Sequence, residues 1–524
     1  MRHSSWMLAG TVLIVLVAVA WRLPAMEDRP FHGDEAVNAV RAATLWEEGS
    51  YRYDPQRFHG PTLPYLTIPL LKLSSADSFD ATSEKHYRAV ALLFGLALVF
   101  LTALLARELG WPAALAAALL CAVSPALVFF SRYYIHEMLL AVFSFAAILA
   151  GGAYGRRPGF AAAATCGLCL ALMHATKATC VIAFFAMAVA LIVARLTSGQ
   201  KDTDRVFPWP RPTHFLAGVG AALVAWLVLY SSFFTHWPGL LDSLTTFKTY
   251  FARGTASESS ALHAHHTHPW HWYLGLLAYH RPRPGPWFSE APILVLGAIG
   301  LVVGLWGRGL RREHIPFARF MAVYTLVLIV VYSAIPYKTP WTMLSFVHGL
   351  VILAGIGVAT LLHWCRTPVP RCVVALVLAL GLAHLAQQSW RVNFRFHSDS
   401  RNPYVYAHPT RDVRRLAKRA EQIADVHPEG RAMTIQVLDG DNYWPLPFYL
   451  RQFSNVGYWK TDIPAKLDGA MIITDMQHQD AIDDLLPDHQ LEHYGLRPNA
   501  QRAVYIPKQL WERFIEKRRA GSSP

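Results

Sequence analysis

Asp34 and Glu35 are adjacent carboxylates placed just beyond the first long apolar run, and His32 and His59 lie in the same segment. Paired carboxylates beside histidines suit a general base or part of a metal site. In either role Asp34 would accept a proton from, or help orient, an attacking hydroxyl. The residues that follow read as an amphipathic helix. Ala36, Val37, Val40, Ala43 and Thr44 share a face, and Glu47 and Glu48 precede Gly49, a C-cap. Asp34 is then equally well placed as the N-cap of that helix, so cap and base stay open together. The cap role by itself requires neither the adjacent Glu35 nor a position immediately after an apolar run.

Further ionisable residues stand at the ends of other apolar runs: Arg88, Arg132 and Glu137 in Ser131–Glu137, Lys177 beside His174 and Thr176, and Lys338 between Tyr337 and Trp341. Taken singly, each reads as an interfacial anchor. Taken together, they converge on the face that carries Asp34, Glu35 and Glu137. A cationic cluster beside carboxylates at a lipid boundary suits a lipid phosphate headgroup, bound by an arginine fork or a lysine point charge. The tract His263–His271 contains five histidines. It has neither cysteine nor a carboxylate at ligand spacing, so it reads as a solvated or substrate-facing loop. A divalent metal stays open, with no DxD triplet in the first segment. His268, Trp270, Trp272, Tyr273, Trp287 and Phe288 in and around the tract suit stacking on a sugar, covering an isoprenoid chain, or an interfacial aromatic belt.

The elements that must position these groups are membrane helices. The chain has 524 residues, is 53% hydrophobic and only 16% charged, which excludes a disordered chain and argues against a wholly soluble enzyme. Eleven apolar runs stand out: 7–20, 89–106, 112–130, 138–152, 160–173, 178–194, 215–234, 291–307, 320–336, 341–362 and 372–386. With the amino terminus in the cytoplasm, alternate short loops carry Arg107, Arg156/Arg157, Arg195–Arg211, Arg308–Arg312 and Arg366/Arg371. Most of the +13 net charge is thus topogenic, and no nucleic-acid motif is present. Ala18-Val19-Ala20 has the form of a cleavage site, but ten further spans favour a retained anchor. None of the six cysteines falls in the long outer segments, so no disulfide framework is expected. CxxC at Cys166 and Cys169 lies inside an apolar run.

The expected fold is an α-helical polytopic membrane protein: a transmembrane domain over 1–390, with outer loops 22–88 and 235–290, and a small α/β domain over 391–524. In the tail, 411–424 reads as a helix, 432–438, 470–474 and 502–506 as strands, and 480–486 and 509–517 as helices. Placement in the inner (plasma) membrane, with the tail domain extracytoplasmic, follows from this topology.

Asp-Glu after the first span, an amphipathic juxtamembrane helix and then His-Gly-Pro resemble the GT-C membrane glycosyltransferases. These include the protein O-mannosyltransferases and the lipid A aminoarabinose transferases. The ordered set Phe31–Glu35, Phe58–Pro61, Ala175–Lys177 and Pro336–Trp341 looks most like the prokaryotic family labelled flippase-activity-associated, over residues 1 to about 390 plus Tyr443–Pro447. The resemblance implies an inverting transfer from a polyprenyl-phosphate-linked sugar to a protein, glycan or lipid acceptor. Asp34 would be the base, Glu35 and Glu137 further catalytic carboxylates, and Arg88, Arg132, Lys177 and Lys338 the donor-phosphate ligands. His32, His59, Tyr337, Trp341, His268 and Trp270 would line the substrate. Two departures are His136 before Glu137, and Ala178 where an acidic residue is expected. The competing reading is a non-catalytic or transport protein that assists translocation of lipid-linked sugars. No internal repeat supports it, and His348 and His384 are its only mid-run ionisable groups.

Overall fold

A computed structural model describes residues 2–197, 206–255, 266–440, 442–460 and 464–520. The chain opens with α1 (Arg2–Arg22), followed by α2 (Gly33–Glu48), α3 (Thr62–Leu73) and α4 (Glu84–Ala103). Next come α5 (Trp111–Val123), its short continuation α6 (Pro125–Phe130), α7 (Glu137–Arg156), α8 (Phe160–His174) and α9 (Cys180–Thr197). The helices α10 (Pro212–Tyr230), α11 (Pro238–Thr255) and α12 (Trp272–Ala278) lead to α13 (Ala291–Trp306), α14 (Ile315–Ala334), α15 (Leu344–Trp364) and α16 (Pro368–Trp390). Each of the eleven apolar runs falls on a helix. Seven helices among the described residues (α4, α7, α9, α10, α14, α15 and α16) are long and apolar enough to cross a membrane; Trp6–Arg22 of α1, with α5, α8 and α13, are shorter apolar segments.

Local chemistry sets where these helices begin and how closely they pack. Proline stands in the first turn of α5, α6, α10, α13, α14 and α16, where its missing N–H costs nothing. The central helix, α15, is buried without interruption from Phe346 to Gly357, as an all-round apolar helix requires. It packs on α13 and α5. A Cβ at Gly300 of α13 would overlap the Leu353 carbonyl, so only glycine permits that approach. His348 is held inside this packing by Thr102 Oγ1, 2.9 Å from its Nε2. By contrast α16 buries only Leu385, Gln388 and Ser389.

The tail forms α17 (Asp412–Ala424), β1 (Ile435–Leu438), α18 (Leu446–Tyr449), β2 (Val456–Trp459), β3 (Met471–Asp475), α19 (Gln479–Asp483), β4 (His489–Arg497), β5 (Ala500–Pro507) and α20 (Lys508–Ala520). The sheet order is β2-β1-β3-β5-β4. Within it β1 pairs in parallel with β2 (Ile435 opposite Val456) and with β3 (Ile435 opposite Met471), while β3–β5 and β5–β4 are antiparallel. Both β1 and β3 are buried along their whole length, as their mainly apolar sequences require, and the buried Gln436 of β1 is satisfied by the Lys466 carbonyl and the Gly469 N–H. One stripe of α17 (Val413, Leu416, Ala420 and Ile423) joins their core.

Candidate functional site

The amino end of α2 is built by its own sequence. His32 is the N-cap: its Nδ1 accepts the Asp34 N–H at 3.0 Å, and Glu35 Oε2 accepts the His32 N–H at 3.1 Å. This is a capping box with histidine in the place of serine or threonine. At the other end Gly49, at φ 72°, closes the helix in the left-handed region. Asp34 is therefore inside the first turn rather than at the cap, and its carboxylate is left for other work.

The two neighbouring carboxylates have opposite surroundings. Glu35 is fully buried and bound in a fork by Arg88: Nε to Oε1 at 2.7 Å and Nη2 to Oε2 at 2.8 Å. The Tyr134 N–H adds a third donor at 2.9 Å. The remaining Arg88 protons reach the carbonyls of Met26 (2.7 Å), Arg29 (2.8 Å) and Pro30 (3.3 Å), so all five N–H groups are engaged. Burial alone would raise the Glu35 carboxyl, but Arg88, Arg29 and the Tyr134 N–H outweigh it and hold it below the usual carboxylate range. The Asp34 side chain is 58% exposed, and its nearest charged-group neighbour is His32 Nδ1 at 3.8 Å. Burial lowers the His32 pKa against the pull of Asp34 and Glu35. An Nδ1 that accepts a backbone N–H belongs to a neutral ring, so this contact is not an ion pair.

Around His32 stands a wall of rings from distant parts of the chain. Its ring centroid is 5.7 Å from those of Tyr133 and Trp341 and 5.1 Å from that of His408. Tyr133 stacks on His408 at 5.3 Å, and Trp341 meets Tyr406 edge-on at 5.7 Å. Tyr406 Oη lies 2.6 Å from His266 Nδ1, and His266 stacks on Tyr337 at 4.5 Å. His268 stacks on Trp272 at 4.1 Å, whereas Trp270 is exposed and meets the His271 ring edge-on. Lys338 fastens this loop to the bundle. Its N–H donates to the His266 carbonyl at 2.8 Å, and its Nζ donates to the carbonyls of His268 (3.1 Å) and Ile335. His263 and His265 lie outside the described residues, among which no group of three His, Cys, Asp or Glu side chains has metal-binding geometry.

A second cluster shares this end of the bundle. Lys177 and Glu137 form a buried ion pair. The His59 and His136 rings are 5.0 Å apart. The Gly60 N–H donates to the Thr176 carbonyl at 3.1 Å, and a Cβ at Gly60 would overlap the Ala175 carbonyl. That contact gives His-Gly-Pro and Ala-Thr-Lys a common physical origin: two loops closing on each other backbone to backbone. Arg132 is directed elsewhere, to the carbonyls of Asn393 (3.0 Å), Pro24 (2.6 Å) and Ala25 (2.9 Å).

The tail domain is pinned to the same end. Tyr449 Oη accepts the Phe31 N–H at 2.8 Å and donates to Glu84 Oε1 at 2.7 Å, where Arg414 Nη2 also binds at 2.7 Å. Phe448 packs on Phe31 with centroids 4.5 Å apart. The domain thus holds the residue just before His32. Sequence reading passed over Tyr133, His266, Tyr406 and His408 as site residues. The aromatic density of 131–137 signalled the first; nothing local signals that 404–408 returns to the bundle.

Comparison with known proteins supplies a fold. Residues 66–243 match the model of the dolichyl-phosphate-mannose-protein mannosyltransferase family. No curated protein matches by sequence. Among solved structures, ArnT from Cupriavidus metallidurans in the apo state is similar over 97% of this chain and 99% of its own, with a TM-score of 0.62 at 15% identity. The same protein bound to undecaprenyl phosphate gives 0.62 at 16% identity over 96% and 98%. The archaeal oligosaccharyltransferase AglB from Archaeoglobus fulgidus, in complex with an inhibitory peptide and a dolichol-phosphate, gives 0.57 at 13% identity over 91% of this chain and 70% of its own.

Proposed function

Starting from a chain with the GT-C membrane fold, we propose that it is an inverting glycosyltransferase. It takes a sugar from a polyprenyl-phosphate donor and passes it to an acceptor hydroxyl on the extracytoplasmic face. The observation that carries the reading is the division between Asp34 and Glu35. One carboxylate is open beside a ring wall; its neighbour is consumed by Arg88. Asp34 takes the proton of the acceptor hydroxyl as its oxygen attacks the anomeric carbon. The bond from that carbon to the phosphate oxygen breaks, and polyprenyl phosphate leaves with the electron pair. Lipid phosphates in the fold relatives, undecaprenyl phosphate on ArnT and dolichol-phosphate on AglB, support this donor class.

Lys338 is the favoured phosphate ligand, because two of its three ammonium protons sit on carbonyls and one remains for a phosphate oxygen. Lys177, paired with Glu137, is the second candidate. With every N–H on protein acceptors, Arg88 acts as a positioning residue that fixes Glu35 and through it the first turn of α2. His32, Tyr133, Trp341, Tyr406 and Tyr337 present ring faces and edges to the sugar.

The test uses purified protein in lipid nanodiscs with radiolabelled polyprenyl-phosphate hexose. Wild type should release sugar to an envelope extract or to water, and Asp34→Asn should bind the lipid without releasing it. Bound lipid with no release by wild type under any acceptor condition would move the reading to transport of lipid-linked sugars, for which vesicle translocation is the assay.

A further inference from the structure

A polar cavity lies behind the ring wall, lined by Ala25, Met26, Arg29, Arg88, Arg132, Asn393 and His397. Three of these are guanidinium groups, and all three are at least 93% buried. Arginine stays charged, and a buried charge needs a partner. Arg88 has Glu35. Arg29 and Arg132 have no carboxylate bonded to them among the described residues. Arg29 Nη2 donates to the Arg132 carbonyl at 2.6 Å and its guanidinium rests on Phe129, 4.4 Å from the centroid. Among the described residues Arg132 donates to the three carbonyls named above, and its guanidinium rests on Phe394, 4.8 Å from the centroid. Asp28, the one other carboxylate whose field reaches Arg132 and His397, is exposed.

Several polar atoms at this cavity lack a partner. Arg29 Nε, Arg132 Nε and both nitrogens of His397 are buried without a hydrogen bond, as is Asn393 Oδ1. Buried donors in native proteins are satisfied as a rule, so the two guanidinium Nε–H groups and the one N–H of a neutral His397 ring, three donors in one place, indicate a missing acceptor. Burial, compounded by mutual repulsion, pushes Arg29 down to about 10 and Arg132 to about 9. The cavity has room for about one water-sized occupant. That is room for one monatomic ion and too little for a tetrahedral phosphate.

We propose that the Arg29–Arg132–His397 cavity is an anion site that takes one halide-sized ion, chloride among the physiological anions. Held there, the ion would join three segments that share no ion pair among the described residues: 24–29 after α1, the 131–136 loop, and 393–397 at the end of the bundle. Its position behind Tyr133 separates it from Asp34, so it neither requires nor supplies the glycosyl-transfer reading.

The experiment is a thermal melt of the full-length protein in nanodiscs in gluconate buffer at fixed ionic strength, titrated with chloride or bromide. It is paired with anomalous diffraction from bromide-soaked crystals. The expected result is a saturable rise in Tm of several degrees for both halides, with one bromide peak between Arg29 and Arg132. Arg132→Gln should abolish the rise. Should that variant not fold, His397→Phe, which keeps both guanidinium groups, should weaken halide binding several-fold. No halide-specific rise and no bromide peak would overturn the proposal in favour of water in the cavity. Stabilisation by phosphate but not by halide would overturn it equally and join the cavity to the donor site.

Discussion

The two sides of the first turn of α2 present the same functional group to different worlds. Glu35 points inward, where six hydrogen bonds tie it and Arg88 to the carbonyls of residues 26–30 and to the Tyr134 N–H of the 131–136 loop. Asp34 points outward, with a neutral histidine as its nearest partner. The comparison teaches that sequence adjacency and shared chemistry do not imply a shared role. Burial and donor count separate a carboxylate that builds the site from one that is available to it.

The first way to break this comparison is to neutralise each carboxylate in turn. Asp34→Asn should cost about 10²–10⁴-fold in transfer, the range for a general base, with Tm unchanged. Glu35→Gln strands Arg88 in the interior and should cost about 3–5 kcal/mol of stability, read as a sharp loss of folded protein in detergent. If the two phenotypes exchanged, the assignment would be reversed.

A smaller effect is expected where the tail domain grips the turn. Tyr449→Phe removes the hydrogen bond to Glu84 and the acceptor for the Phe31 N–H, at about 1.5–3 kcal/mol. Proteolysis between the bundle and the tail should speed up accordingly.

Acid should loosen the buried histidines around the site. Burial lowers the pKa of His32 and His408, that of His136 to about 3 and that of His397 to about 4. The unfolded chain binds those protons near pH 6.5. Stability from keeping these rings neutral is therefore complete above that pH and declines as pH falls toward the folded values, by about 1.4 kcal/mol per pH unit for each ring. Melts at pH 7 and pH 5.5 should show the lower midpoint at pH 5.5.

The smallest effect isolates the cap. His32→Ala should cost about 1 kcal/mol, and His32→Asn, whose side chain also caps, should recover most of it. Recovery of Tm without recovery of transfer would assign the His32 ring to the substrate wall as well as to the helix.

Much of this was legible in the sequence because its signals are local. Charge-free runs mark the membrane helices, and short, mainly apolar stretches mark β1 and β3. Asp34-Glu35 after an apolar run marks the head of α2. The edge strands were not legible: β2 is four residues long, and β4 opens with the mostly polar stretch 489–493 before Tyr494 and Leu496 turn into the core. The partition between Asp34 and Glu35 depends on Arg88, 53 residues away from Glu35. The ring wall depends on His408 and Tyr406 returning to the bundle. Contacts of that range leave no mark on neighbouring residues.

The most direct measurement runs Asp34→Asn and Glu35→Gln beside wild type in one preparation. It records sugar release from polyprenyl-phosphate hexose and Tm for each. The account predicts that Asp34→Asn melts with wild type, binds the lipid and releases no sugar, while Glu35→Gln melts markedly lower. Sugar release by Asp34→Asn at the wild-type rate would contradict it.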